Sequence, residues 1–160
     1  MAVDFFLKLD GIKGESFDSK HKDEIDVLAW SWGLNQSATR HLGGGGGSGK
    51  ANVQDISFTK YTDLSSPVLA RMCAGGKHIK EGMMVVRKAG DKPLEYIKIK
   101  MTDILVSSYQ FGGSGGDDRI TESISLNFAK VEYQYFSQKA DGSQDKDEKM
   151  EFNIQTQEWK

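Results

Sequence analysis

The sequence predicts a mainly β fold: a compact antiparallel β-barrel of two sheets, with one short α-helix and a long Gly-rich extended loop. Three observations carry this expectation. Apolar residues recur at a period of two in one segment after another, the pattern of half-buried strands. A helix start-and-stop signal stands between residues 65 and 76. Within two long strand-like stretches the phase of alternation switches, as a bulge or a strand crossing between sheets requires. With 160 residues and 38% apolar composition, residues 1–160 are expected to form one domain that buries a core unaided.

Val3, Phe5, Leu7 and Leu9 alternate with Ala2, Asp4, Phe6 and Lys8, and Asp10-Gly11 closes this first strand with a turn. Residues 13–24 are polar and charged and read as a solvated surface loop. Over residues 25–36, Leu28, Trp30, Trp32 and Leu34 share one face as bulky core. Val27, Ala29, Ser31 and Gly33 form a row of small residues on the other face. Such a row suits close approach by another backbone or an uncluttered wall. Two tryptophans in one strand could make a stacking platform for sugars or bases, but aromatic residues at strand period mostly fill cores.

Beyond the glycine tract, Ile56 and Phe58 alternate with Ser57 and Thr59. For the helix, Ser66 is the expected N-cap, Pro67 the first helical residue and Gly75 the stop, with Val68, Leu69, Met72 and Cys73 on one face. Residues 83–88 form a short apolar strand, closed by a turn over 89–93. Residues 94–111 form a long strand in which Ile97, Ile99 and Met101 share a face. Its phase shifts near Asp103, after which Ile104, Val106 and Ser108 carry the other parity. The hinge Gly112-Gly113-Ser114-Gly115-Gly116 leads to a strand over 119–136 that shifts from Ile124, Leu126 and Phe128 to Val131, Tyr133 and Tyr135. A polar loop over 140–149 and a last strand over 151–159, with Phe152 and Ile154 inward, bring the count to seven or so strands.

Charge and composition exclude several classes. A formal net charge of −2 without a Lys/Arg cluster argues against nucleic acid as the partner. No window approaches the roughly 18 apolar residues of a bilayer-spanning helix, so no membrane insertion is expected. Asp4 and Lys8 interrupt what would have to be the apolar region of a signal peptide. Cys73 is the single cysteine, which excludes an internal disulfide, suggests a reducing compartment for folding, and reads as a small buried hydrophobe.

Little resembles a reactive centre. Residues 44–50 satisfy the G-x-x-x-x-G-K part of a phosphate-binding loop, but Ala51 stands where a Ser or Thr hydroxyl must hold magnesium, and the segment that follows alternates like a strand. Asp141, Asp145, Asp147 and Glu148 match a calcium loop only in composition, since Lys149 and Met150 occupy a ligand position and the turn-glycine position. His21, His41 and His78 lie in separate segments without metal-ligand spacing. No G-x-S-x-G frames a serine. The expectation is no catalytic residue, no cofactor and no metal. The glycine tract then has three uses to choose from: interdomain tether, phosphate cradle, or an arm carried by a sheet. Ala51 and its strand argue against the cradle, and strands on both sides of one core argue against the tether.

Four blocks of residues, AVDFFLKLDGIKGES at 2–16, IDVLAWSWG at 25–33, HLGGGGGSGKANVQDISFTKYTD at 41–63 and SSYQFGGSGGDDRITESISLNFAKVEY at 107–133, together resemble the Hcp (haemolysin-coregulated protein) family of bacterial type VI secretion systems. The resemblance implies a β-barrel of two sheets with a helix at its side. It further implies that six copies form a ring and that rings stack into the inner tube of a contractile injector. Type VI effectors, carried in the lumen, and the spike and sheath proteins would be partners. The location implied is the cytoplasm before firing and the exterior afterwards, without a cleaved signal. On this resemblance Ser31 faces the lumen. His41, Leu42, Gly43, Gly44, Gly45, Gly46, Gly47, Ser48, Gly49 and Lys50 contact a neighbouring protomer or ring, and Gly90 and Asp91 lie at a ring's end face. Two other functions remain open to the residues alone. One is a monomeric barrel binding a small ligand against Trp30 and Trp32. The other is nucleotide binding through Lys50.

Overall fold

The computed structural model describes residues 2–38 and 48–160. Its elements in order are β1 (Val3–Leu9), β2 (Ile25–Val27), β3 (Ala29–Ser31), β4 (Leu34–Ala38), β5 (Ser48–Val53), β6 (Ile56–Tyr61), α1 (Ser65–Gly75), β7 (Ile79–Lys88), β8 (Leu94–Gly112), β9 (Thr121–Gln138), β10 (Gln144–Asn153) and β11 (Glu158–Trp159). Every strand pair is antiparallel. One nine-stranded sheet runs β11-β10-β9-β8-β7-β1-β2, with β6 paired to β9 and β3 paired to β6; β4 and β5 make a separate two-stranded ribbon. The branch arises because β9 is long enough to pair β6 over residues 121–126 and β10 over 130–138. The sheets curl round one core without closing into a barrel. Among the described residues β2 and β6 form no ladder; just after β2 the Leu28 N–H donates to the Thr59 carbonyl at 2.8 Å.

The two expected phase switches are one structural event. Asp103 takes a left-handed φ of 56°, and its cross-strand neighbour position is Ala129, whose carbonyl accepts the Ile154 N–H at 2.9 Å instead of continuing the ladder. Before this point Ile99, Met101 and Val131 face inward, and after it Ile104, Leu126 and Phe128 do. A further bulge lies between Val106 and Ser108. It turns Ser108 outward, against the expectation that it shares a face with Ile104 and Val106.

Residues 25–36 also depart from a single strand. Ile25 and Val27 point into the core, the chain bends at Leu28, and Trp30 and Trp32 then pack against the core on the opposite parity. Leu28 and Leu34 are exposed. The expected row of small residues therefore loses Val27 and keeps Ala29 and Ser31. At the C-terminal end, the residues read as a polar loop pair with β9 as the first half of β10. The expected last strand ends at Asn153 and turns back as β11. The apolar strand read over 83–88 begins earlier, at Ile79.

The helix starts before Ser66. The Asp63 carboxylate accepts the Ser65 N–H at 2.9 Å, while the Ser66 hydroxyl accepts the Asp63 N–H at 2.9 Å, a reciprocal cap. Gly75 is the last helical residue, and Gly76 follows in the left-handed region at φ 62°, where glycine has no side chain to clash. Leu69 is fully buried, and Val68, Met72 and Cys73 pack around it as the sequence predicts.

Residues 13–24 are a strap, not a solvated loop. Gly14, Ser16 and His21 are buried. The strap folds on itself through Gly14 N–H to the Asp23 carbonyl (2.8 Å) and Asp23 N–H to the Ser16 carbonyl (3.0 Å). A Cβ at Gly14 would meet the Glu24 carbonyl oxygen at 2.6 Å, so only glycine fits. Arg87 of β7 ties the strap down, donating to both Asp18 carboxylate oxygens at 2.9 and 2.7 Å and to Asp4 at 3.2 Å. Phe6, on the outward parity of β1, is thereby covered, with the Arg87 guanidinium 4.8 Å from its ring centre.

The least expected core member is Lys60, which has no solvent exposure. Its ammonium lies 2.7 Å from Glu122, 2.8 Å from Asp63, 2.9 Å from the Ser66 hydroxyl and 3.1 Å from the Tyr61 carbonyl. The Tyr109 hydroxyl donates to the other Glu122 oxygen. Burial, with that hydrogen bond second, pushes the Tyr109 phenol up to about 12.

Two predictions follow from these buried charges. Lys60→Met strands two carboxylates and should cost about 3–5 kcal/mol in urea denaturation; adding Glu122→Gln should recover much of the loss. The hydrogen bonds from Arg87, the largest cause, hold the Asp18 carboxyl at about 2, below its ordinary 3.8. Its stabilisation is therefore complete above that ordinary value and lost as pH falls toward about 2. Asp18→Asn should flatten this part of the acid-unfolding curve.

Candidate functional site

Ser31 lies exposed on β3, directly opposite Ser57 of β6. Ser57 pairs with Ser125 of β9, and Ser125 pairs with Ser108 of β8, so four serines cross four strands in one row. The Ser57 and Ser125 hydroxyls are 3.1 Å apart. The adjacent row is Ala29, Thr59, Ser123 and Gln110. Together they floor a shallow depression of about 400 Å³ lined by no Asp, Glu, Lys, Arg or His. Asp55 and Arg119 are charged groups on the loops before β6 and β9. Asp55 accepts from the Ser107 hydroxyl at 2.6 Å and the Asn127 amide at 2.9 Å, and the Arg119 guanidinium sits 3.9 Å over the Tyr61 ring.

Each outward hydroxyl is placed by what its strand buries. Ile56, Phe58 and Lys60 face inward on β6, so Ser57 and Thr59 face out. Glu122, Ile124 and Leu126 do the same for Ser123 and Ser125. Hydroxyls both donate and accept, with hydrogens that rotate to suit the partner. The face can therefore form weak, adaptable hydrogen bonds, and its lining has no carboxylate, imidazole, amine or thiol to activate a hydroxyl. Ser31 is the one residue of these rows expected from the sequence to face a lumen; Ser108, Ser123 and Ser125 are not among the expected site residues. The signal for the last two is their parity, opposite to that of the inward Ile124 and Leu126.

The outward face of the sheet on the other side of the Asp103 bend is chemically different. There Lys98, Gln134 and Lys149 stand in register, beside Lys100, Glu132 and Glu151. Lys149 lies 3.0 Å from Glu151 and 3.7 Å from Glu132.

Other candidates resolve as follows. His41 to Gly47 lie outside the described residues. Ser48, Gly49 and Lys50 belong to β5, a strand, whereas a phosphate-binding loop opens a helix. Gly90 and Asp91 are exposed in the turn between β7 and β8, Gly90 at φ 144°. Trp30 and Trp32 pack on the filled core, and the Trp32 indole donates to the Gln54 carbonyl at 3.0 Å, so they do not line an interior ligand chamber. Among the described residues no three His, Cys, Asp or Glu side chains converge as a metal site, and no helix is long and apolar enough to cross a membrane. Ser66 and Lys60 approach as a Ser–Lys dyad would, but that ammonium donates to carboxylates and the pair is sealed from solvent.

Comparison with known proteins gives the lineage. The family model described as "Type VI secretion system effector, Hcp" matches residues 6–135. "Protein hcp1" of Pseudomonas aeruginosa is 56% identical over 146 residues, covering 91% of this chain and 90% of that protein. The crystal structure of Hcp1 from Salmonella typhimurium superposes with a TM-score of 0.82 at 38% identity, covering 100% of both chains. A structure titled as a type six secretion system protein gives 0.92 at 33% identity, over 99% of this chain and 100% of that one.

Proposed function

The chain belongs to the Hcp family of type VI secretion system proteins, a secretion family and not an enzyme family, and from that premise we propose that it is a subunit of the secretion tube. In this reading the whole chain acts as one domain. Six copies close into a ring, and rings stack into the inner tube of the contractile injector. The protein is made in the cytoplasm and leaves through the type VI apparatus without a cleaved signal peptide.

The observation that supports this reading is the uncharged hydroxyl face built on Ser31, Ser57, Ser125 and Ser108. A conduit wall must touch polypeptides of many compositions without holding any of them. Exposed fixed charges would hold opposite charges by up to about 1 kcal/mol for each pair, and many pairs along a passing chain would add. Rotatable hydroxyls exchange partners at little cost. We assign this face to the lumen and to transient contact with effectors, and the charge-laced wall of Lys98, Lys100, Glu132 and Lys149 to the outside, toward sheath proteins. A spike protein would cap the stack. The segment 41–50 reaches a neighbouring protomer or ring, with the turn at Gly90 and Asp91 at the ring's end face.

Native mass spectrometry tests the assembly: the expected species is the mass of six chains, and a strict monomer at high concentration overturns the reading. Ser31→Tyr is exposed in the single chain and should leave the assembly mass and melting temperature unchanged. It should lower the recovery of co-expressed type VI effectors with the ring, and unchanged recovery would remove Ser31 from the lumen wall.

A further inference from the structure

The strap over residues 13–24 crosses the outward side of β1 and carries Phe17 at 98% exposure, between the buried Ser16 and the ion-paired Asp18. Its second anchor, beyond Arg87, is His21. The His21 ring is buried and stacks on Phe6 at 4.2 Å with the planes 10° apart. Its Nδ1 lies 2.9 Å from a Glu24 carboxylate oxygen within the strap, and its Nε2 lies 2.6 Å from a Glu95 carboxylate oxygen on β8. A carboxylate only accepts. A neutral imidazole has one N–H and one lone pair, so it satisfies one of these two contacts and sets a lone pair against a carboxylate at the other. The imidazolium satisfies both.

The surrounding charges complete the setting. From the strap come Glu24 and Asp18, from β1 Asp4, from β7 Arg87 holding both aspartates, and from β8 Glu95 with the Lys98 ammonium 3.6 Å from its other oxygen. Arg87 and Asp18 carry fixed charges in the neutral range, so among these contacts the two that His21 makes, to Glu24 within the strap and to Glu95 on β8, are the ones that a histidine proton can make or break. Only the second joins the strap to another element.

We propose that His21 is a proton-dependent clasp: its imidazolium joins the strap to β8 through Glu95, and loss of one proton loosens the strap and the exposed Phe17 that it positions. This inference concerns a single chain and goes beyond the tube reading, since it holds whether or not rings form.

The test is amide hydrogen exchange on the full chain in its solution assembly from about pH 5 to 8, with the His21 ring state followed by NMR. The Gly14, Ser16 and Asp23 amides, all bonded within the strap, report its closure, and the Leu126 amide of β9 serves as the core control. Protection of the three strap amides should fall about tenfold or more as the ring loses its proton, the scale of one charge-assisted hydrogen bond, with Leu126 unchanged. Glu95→Gln can accept from either ring form and donate to the neutral one, so in this variant the strap should stay protected at every pH. Three results overturn the clasp: wild-type protection that ignores the ring's titration, a ring that holds one protonation state across the range, or a Glu95→Gln strap that is open throughout or keeps the pH dependence.

Discussion

The burial of Lys60 is the constraint on which the hydroxyl face depends. An ammonium without solvent must be surrounded by acceptors, and here they come from three elements: Glu122 of β9, Asp63 before the helix and Ser66 inside it. Tyr109 of β8 completes the set through Glu122. Side chains alternate along a strand, so fixing Lys60 inward fixes Ser57 and Thr59 outward, and fixing Glu122 inward fixes Ser123 and Ser125 outward. A slip of one residue would bury hydroxyls and expose the apolar set. An ion pair of this kind adds little net stability against an apolar pair of the same shape. Its value is register, and that register sets Ser57 against Ser125 and Thr59 against Ser123.

The same cluster explains where the sequence was legible and where it was not. Alternation identified most inward residues of β8 and β9, including the change of phase, because Ile, Leu and Val at a period of two have one sensible interpretation. Lys60 and Glu122 follow that alternation with the wrong chemistry. Their burial is intelligible only once each is known to face the other across 62 positions of sequence. The strap is a similar case. Residues 13–24 look solvated by composition, yet Arg87 lies far along the chain and supplies the partner that lets Asp18 and the neighbouring His21 sit against β1. Ser31 was found as part of a row of small residues. Its true row runs across strands instead of along one, and such rows need the pairing register before they can be seen.

The helix start shows a smaller effect of the same kind. Ser66 before Pro67 carries an N-cap signal, but the hydroxyl is shared between the Asp63 N–H and Lys60, so the cap moves back to Asp63. Local propensity lost to a tertiary demand for an acceptor. In the strand over 25–36, the bend at Leu28 likewise follows from what the chain must cover. β2 pairs with β1 and β3 with β6, and one straight strand could not serve both.

The long hairpin of β8 and β9 ties these points to function. At Asp103 and Ala129 both strands exchange inner and outer faces at one place, so each strand contributes to two walls. On one side of the bend its outward residues are Lys98, Lys100 and Glu132. On the other they are Ser108, Ser123 and Ser125. In the proposed tube subunit, an uncharged hydroxyl face and a charged face would ordinarily need separate elements. Here the bend in one hairpin, with the further bulge before Ser108, separates them. The positive φ of Asp103 is the local cost of that bend, because a non-glycine residue is held there in the left-handed region. The Ile154 N–H bonded to the Ala129 carbonyl holds the opposite strand in place. Straightening the hairpin at this point would put Met101 and Ile104 on opposite faces and break the core that both walls share.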